Sequence, residues 1–325
     1  MKVGKLDWNQ LKQLIENNRS VNREDVRIKS GIGEDCSVIS FGSLECVVST
    51  DPITGADKNM GRLAVHVNCN DIAASGAEPV GLLVTILAPE DATIEEISEI
   101  MKEIDEETKK LNVEILGGHT EVTKAVNKIV VSCTAIGKIK ALKAVITAGA
   151  KVGDDIIVTK FLCLEGSSIL ASEYSKRASE VLTPQELLEA VNYIDKLSVV
   201  KEGVAAGKIG VNSMHDITEG GVLGALWEMA KASNTGFIVY EEKMPISDIT
   251  RKLCRHFKID PLKFISSGSM LITAENGQEV VHLLQRCGIK ATVIGKTTEE
   301  KGILINHKKV GNEVCPPAQD ELFSI

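Results

Sequence analysis

Residues 61–81, GRLAVHVNCNDIAASGAEPVG, decide the fold, because they predict a buried helix that nevertheless carries a carboxylate. Leu63, Val65, Val67, Ile72 and Ala73 leave hardly any continuous polar face, so the helix is expected to be packed on several sides. Asn68, Asp71 and Ser75 follow one another at i, i+3 and i+7 along one side, with Asn70 beside them. A buried carboxylate without a partner takes up a proton, so an ionised Asp71 needs a cation or several N–H donors. The rest of the chain is expected to supply the other ligands of that cation.

A chain of 325 residues is too long for one small core, and its 43% hydrophobic content is ample for two domains, placed here at residues 1–150 and 151–325. The net charge of −8, with no block of Lys or Arg, argues against nucleic-acid or anionic-membrane surfaces. A polyanionic ligand such as a nucleotide would have to be bound through metal ions. No run approaches 18 apolar residues and no signal-peptide core opens the chain, so a soluble, cytoplasmic protein is expected. The eight cysteines never come closer than ten residues apart, which excludes a zinc ribbon or Cys-x-x-Cys motif and favours reduced, buried thiols.

In chain order, Asp7 caps a first helix with Leu11, Leu14 and Ile15 on one face, and residues 19–33 read as a charged loop. Strands follow at GIGEDCSVIS and at residues 45–50, the second ending at Asp51-Pro52 because proline cannot donate to a ladder. Beyond the central helix come a strand at 80–87 and a long amphipathic helix at 93–111 begun by a Thr93-x-x-Glu96 capping box. A strand at 113–116 runs into Gly117-Gly118-His119-Thr120-Glu121, and another spans 129–136. The first half is thus an α+β domain. The second half opens with the turn KVGDD and gives helices near 166–174, 184–193, 198–206 and 278–287. Its strands are expected at 156–159, 236–240, 269–273, 291–294 and 302–305, with HDITEGGVLGALWEMA a strand end turning into a helix.

Gly31-Ile32-Gly33 enters a strand and lacks a third glycine, so it is no dinucleotide fingerprint, and Gly295-Lys296-Thr297 reads as a hairpin turn. The carboxylates carry more information. Glu34-Asp35 precedes a strand, Asp51 ends one, Asp71 lies in the buried helix and Glu121 follows the glycine pair. Singly each is a cap or turn residue; together they form the pattern of a site that holds Mg²⁺ against phosphates. Gly117-Gly118 is either a tight turn or a source of backbone N–H groups for the same phosphates. Asp216-x-x-Glu219 has the form of a capping box, with Gly220-Gly221 as an alternative anion site across an interdomain cleft. His119 and His215 flank these segments as phosphate contacts, general bases or structural hydrogen-bond partners.

GIGEDCSVI, STDPITGA, NDIAASGAEPVG, LGGHTEVT, KVGDDIIVTK, HDITEGGVLGAL and SSGSMLIT resemble, in the same order, the superfamily of aminoimidazole ribonucleotide (AIR) synthetase, thiamine-monophosphate kinase, selenophosphate synthetase and the hydrogenase maturation protein HypE. The resemblance spans essentially the whole chain and is greatest to the HypE branch. It implies a two-domain, PurM-like α+β fold: an N-terminal mixed β-sheet with helices, through which a homodimer forms, and a C-terminal α/β sandwich. It also implies ATP and Mg²⁺ in a groove lined by both N-terminal domains. The acidic motif residues map onto Asp35, Asp51 and Asp71, with Asn70 beside them, and here His119 stands at the usual acidic position with Glu121 two residues on.

On this resemblance Asp71, His119 and Asp216 are the catalytic candidates. Asn70, Gly117, Gly118, Thr120 and Lys29 are the cofactor contacts, and Asp35, Asp51, Asp71 and Glu121 the metal ligands. Residues 19–33, with Arg23, Arg27 and Lys29, are either a mobile lid or a solvated linker. The implied chemistry is ATP-dependent phosphoryl transfer or dehydration on a small-molecule or protein acceptor. A non-catalytic ATP-binding accessory protein of metalloenzyme maturation is the alternative, with a thiamine-monophosphate kinase-like or AIR synthetase-like enzyme a further one. HypE proteins act on a terminal cysteine, whereas this chain ends CPPAQDELFSI with Cys315 ten residues short of the end, so self-carbamoylation is not expected. Nor do residues 1–35 contain the cysteine that a selenophosphate synthetase would need.

Overall fold

The computed structural model describes residues 6, 8–17, 21–29, 31, 33–54, 56, 58–140, 143–305, 311–315 and 320–325. The first helix, α1, spans Trp8–Asn17; the cap expected at Asp7 lies outside the described residues. Strands β1 (Val26–Ile28), β2 (Ser37–Phe41) and β3 (Leu44–Ile53) lead to α2 (Met60–Ala74). After it come β4 (Glu78–Ala88), α3 (Ile94–Leu111), β5 (Glu114–Val122) and β6 (Val130–Lys140). The six strands form one mixed sheet in the order β1-β2-β3-β6-β4-β5, in which β4 and β5 are parallel and the other neighbours antiparallel.

Along β4 and β6 the residues alternate between a core face (Leu82, Val84, Ile86; Val131, Cys133, Ala135) and an open face that leaves Leu83 exposed. Helices α2 and α3 cover the core face. Thr93 caps α3 in the reciprocal bond with Glu96 that the sequence predicts. Helix α2 also touches the second sheet's elements, so nearly all of its circumference is buried, as its lack of a polar stripe requires.

The remaining chain runs β7 (Asp155–Thr159), α4 (Leu164–Glu173), α5 (Ser175–Ala178), α6 (Pro184–Val191), α7 (Val200–Ile209), β8 (Ser213–Ile217) and α8 (Gly221–Ser233). It continues with β9 (Gly236–Tyr240), α9 (Asp248–Phe257), β10 (Ser269–Ala274), α10 (Gly277–Arg286), β11 (Ala291–Thr298), β12 (Ile303–Ile305) and β13 (Gly311–Glu313). Seven strands pair in the order β13-β12-β9-β11-β7-β10-β8, a mixed sheet in which β9 and β12 are parallel. A small core under α7 and α10, including Val199, Met214, Ile272 and Leu284, takes in Ala73 of α2, so the two sheets are joined through that helix. A buried amide completes the join: Asn70 Nδ2 donates to the Leu197 carbonyl at 2.9 Å and its Oδ1 accepts the Val199 N–H at 2.8 Å.

Four expectations are corrected. Strand β3 does not end at Asp51-Pro52 but continues to Ile53; β2 stops opposite Val48, so Pro52 lies where β3 has an open side and a proline is tolerated. Gly295-Lys296-Thr297 is not a hairpin turn: it lies inside β11 at a register shift where a Cβ on Gly295 would stand 2.0 Å from the Ile238 carbonyl oxygen. Residues 19–33 are not wholly a loop, since β1 pairs with β2 and Arg27 grips Glu45 with two bonds of 2.5 and 2.8 Å. Finally, α9 lies in a segment for which the sequence predicts no element.

Candidate functional site

A cavity of about 110 Å³ opens between the two sheets, lined from the first half by Asp35, Asp51, Leu63 and Asp71 and from the second by Glu165, Thr218, Glu219, Ser267 and Asp320. Each acid is placed by a specific local structure. Asp35 follows Gly33, whose positive φ of 70° turns the chain beside the Glu228 backbone. The neighbouring Glu34 is anchored by accepting the Thr147 N–H at 3.0 Å. Asp51 sits on β3 and is held through its backbone, its N–H donating to Asn68 Oδ1 at 2.9 Å and its carbonyl accepting from Asn68 Nδ2 at 3.3 Å. Asp71, one helical turn along α2 from Asn68, accepts a 2.6 Å bond from the Ser49 hydroxyl.

Asp71 is 4% exposed. Burial, followed by the like charges of Asp216, Asp51 and Asp35, pushes its pKa well above the ordinary carboxylate range, and the Ser49 bond opposes this incompletely. Asp216, on β8, completes the group from the second half; ligand atoms of Asp35, His215 and Asp216 lie within 4.8 Å of one another. The donor set is oxygen-rich, acidic and short of protein cations, which suits a hard divalent ion such as Mg²⁺.

His215 is the one base among these acids, and its Nε2 lies 2.7 Å from Glu228 Oε2 while Nδ1 faces Asp35 Oδ2 at 3.8 Å. Burial alone would lower its pKa, but the Glu228 bond and the charges of Glu228, Asp35 and Asp216 raise it to about 9. It is therefore a cation held in an ion pair at neutral pH, not the free base that the sequence left open.

The other candidates fall elsewhere. Gly117, Gly118, His119, Thr120 and Glu121 are not a tight turn but lie within β5, the exposed edge strand, and do not line the cavity of their own chain. There His119 Nε2 meets Glu121 Oε2 at 2.9 Å. Gly118 has a φ of 154°, and a Cβ on it would stand 1.7 Å from the Val84 carbonyl oxygen, so close strand approach explains the glycine. Lys29 donates to Asn22 at 2.7 Å, and neither it nor Asn70 lines the cavity.

The capping box expected at Asp216 and Glu219 is also corrected. The cap of α8 is Gly220 without a side-chain bond. The Gly220 N–H is instead held by Asp320 Oδ2 at 2.7 Å, so a carboxylate of the chain itself occupies the helix N-terminus that the sequence offers to an external anion. Sequence reasoning does not single out Glu165, Ser267, Asp320 or Leu322, although Ser267 falls in the quoted SSGSMLIT and Asp320 and Leu322 in the quoted CPPAQDELFSI. An acid inside the apolar run FLCLEGSSIL is the one signal that could have found Glu165.

These groups set the pH response. Burial leads in raising Glu34 and Glu165 from 4.5 to about 7 and Asp320 from 3.8 to about 6, and His215 rises from 6.5 to about 9. Each folded value lies above the unfolded one, so the stability conferred is complete below the unfolded pKa and is lost as pH rises through 6, 7 and 9. Glu107 moves the other way. Burial opposes the shift, but His66 and Lys110 bring it to about 2, so its contribution is present above 4.5 and lost as pH falls through 2. Thermal melts of the metal-free protein are expected to peak near about pH 5 and to fall by several degrees toward pH 9; a midpoint that climbs from pH 5 to pH 8 would contradict these assignments.

The sequence matches the AIR synthase related protein family twice, its N-terminal domain over residues 33–139 and its C-terminal domain over residues 151–308. The chain belongs to this family. Among family relatives, it is 32% identical over 314 residues to a protein of Methanocaldococcus jannaschii whose name places it in hydrogenase expression and formation, covering 91% of this chain and 90% of that one. It is 27% identical over 246 residues to the carbamoyl dehydratase HypE of Bradyrhizobium diazoefficiens, covering 74% and 69%. Its fold is that of the hydrogenase maturation protein HypE in complex with ATP (TM-score 0.71, 18% identity, 97% of this chain and 95% of that one). It is equally that of AaThiL complexed with AMPPCP and TMP (TM-score 0.72, 21% identity, 95% and 98%). Among the described residues no helix is long and apolar enough to cross a membrane.

Proposed function

We propose that this chain is an ATP- and Mg²⁺-dependent enzyme of the AIR synthase related family, with the character of the HypE branch, that transfers a phosphoryl group to an acceptor held in the cleft. The observation that carries the reading is the convergence of Asp35, Asp51 and Asp71 on one cavity, with Asp216 beside them and Asp71 buried among like charges. Such a group is unfavourable as anions without a cation, and a magnesium–triphosphate is the cation-bearing ligand that the solved relatives' nucleotides suggest.

When bound, Mg²⁺ neutralises charge on the transferring phosphoryl group. The chain's own residues would act by position. Asn68 fixes the backbone of Asp51, Ser49 orients the Asp71 carboxylate, and Glu228 and the His215 cation hold Asp35 in place. The apolar wall of Leu63, Ile53 and Ile265 limits the water that can compete with the acceptor.

We infer further that the protein works as a homodimer. The open face of the first sheet exposes Leu83, 40% accessible, beside Leu116 at 48%, and this apolar surface supports burial against a second copy. In that arrangement β5, with His119, Thr120 and Glu121, would meet the groove of the partner and not its own.

Calorimetric titration tests the nucleotide reading. ATP is expected to bind in the presence of Mg²⁺ and at least about tenfold more weakly in EDTA. Equal affinity in the two buffers, or none in either, would remove the proposal.

A further inference from the structure

We propose that the part of the cleft formed by Glu165, Glu219 and Asp320 binds a delocalised organic cation, of the amidinium or guanidinium class, carried by the acceptor; that it belongs to an acceptor rests on the phosphoryl-transfer reading. Glu165 projects from α4 into the cavity and is 6% exposed. Its Oε2 is shut from solvent and has no hydrogen-bond partner among the described residues, although Ser267 bonds to the carboxyl group. A buried carboxylate with one oxygen lacking a donor, on a residue that lines a cavity, is an acceptor for a ligand's N–H once the ligand enters.

Its surroundings specify the sign of that ligand. Glu219 and Asp320 line the same cavity, and no Lys, Arg or His does so among the described residues. Burial first, then the charges of these two acids, raises Glu165 to about 7 against the Ser267 bonds, so a positive guest is electrostatically favoured.

The arrangement is wrong for a single metal ion. Asp320 is already committed to the N–H groups of Gly220 and Leu322, at 2.7 and 2.8 Å. Ile169, Ile265 and Leu322 complete the lining with apolar surface. A planar, weakly hydrated cation can lay its faces on that surface and donate from its edge to Glu165 and Glu219, whereas a compact ammonium would lose more hydration. A volume of about 110 Å³ admits a small head group of this kind.

Methylguanidinium and its neutral isostere N-methylurea are the probes, titrated into the full-length protein at pH 8 and followed by ligand-observed NMR. Methylguanidinium is expected to bind about tenfold or more tightly than N-methylurea, and to lose about tenfold in Glu165→Gln. Glu219→Gln, an exposed substitution that leaves the core untouched, is expected to weaken it severalfold and supports the comparison if Glu165→Gln does not fold. Equal binding of the neutral probe, cation binding unchanged by both substitutions, or full competition by Mg²⁺ alone would overturn the proposal. Mg²⁺–ATP binding is measured in the same samples. Its loss with methylguanidinium binding retained would remove the reaction and leave the cation site, while the reverse would remove this site alone.

Discussion

Asp71→Asn is expected to lower ATP turnover by about 100-fold or more while leaving the protein folded. The substitution keeps the size of the side chain and the bond with Ser49, with the amide now offering its oxygen to the hydroxyl. What it removes is a negative charge at the centre of four acids, and with it the attraction for a divalent ion. Because burial and the charges of Asp216, Asp51 and Asp35 already disfavour the ionised form, Asp71→Asn should also raise the melting temperature of the metal-free protein at pH 8. The two effects in opposite directions distinguish a functional carboxylate from a structural one. Assay of ATP hydrolysis beside a thermal melt reads both; turnover equal to wild type, or a lower melting temperature with no loss of turnover, would contradict the assignment.

Gly118→Ala is expected to destabilise the protein by about 3 kcal/mol or more, enough to reduce the soluble yield, whereas Gly117→Ala should cost about 1–2 kcal/mol. Both positions have positive φ, 147° and 154°, so both substitutions strain the backbone. They differ in space: a Cβ on Gly118 would stand 1.7 Å from the Val84 carbonyl oxygen, while on Gly117 its nearest neighbour is Leu83 Cδ2 at 3.9 Å. Urea unfolding of the two variants measures the difference. If Gly118 served mainly to present its N–H to phosphates, the order would be reversed or absent, and loss of nucleotide binding would accompany wild-type stability.

Much of the first half is legible because its signals are local. Helix α2 is apolar all round and therefore buried, and α3 announces its start through Thr93 and Glu96. The alternation in β4 and β6 sets which face meets the core. The errors arise where a distant strand changes what a residue needs. Pro52 ends a strand only if its neighbours would accept a bond from it, and Gly295 makes a turn only if no strand presses against it. Helix α9, DITRKLCRHF, interleaves Arg, Lys and His with its apolar residues; it becomes evident when Leu253, Cys254 and Phe257 are seen buried on one side.

The site divides along the same line. Asp35, Asp51 and Asp71 stand out because acids beside apolar runs are unusual, and they do share one cavity. Glu165 and Asp320 lie 155 residues apart in the chain and belong to segments without a recognisable motif, so only the folded chain brings them together. His119 and Glu121 show the converse: their motif is visible in sequence, yet they lie on an edge strand and do not line the cleft of their own chain.

The central claim is that these acids grip a divalent ion and, through it, a triphosphate. Crystals grown with Mn²⁺ and a non-hydrolysable ATP analogue, measured at the manganese absorption edge, test it most directly. Anomalous density among Asp35, Asp51 and Asp71, in contact with the analogue's phosphates, is the predicted result. Ordered nucleotide without manganese at these carboxylates, or manganese confined to other surface acids, would contradict it.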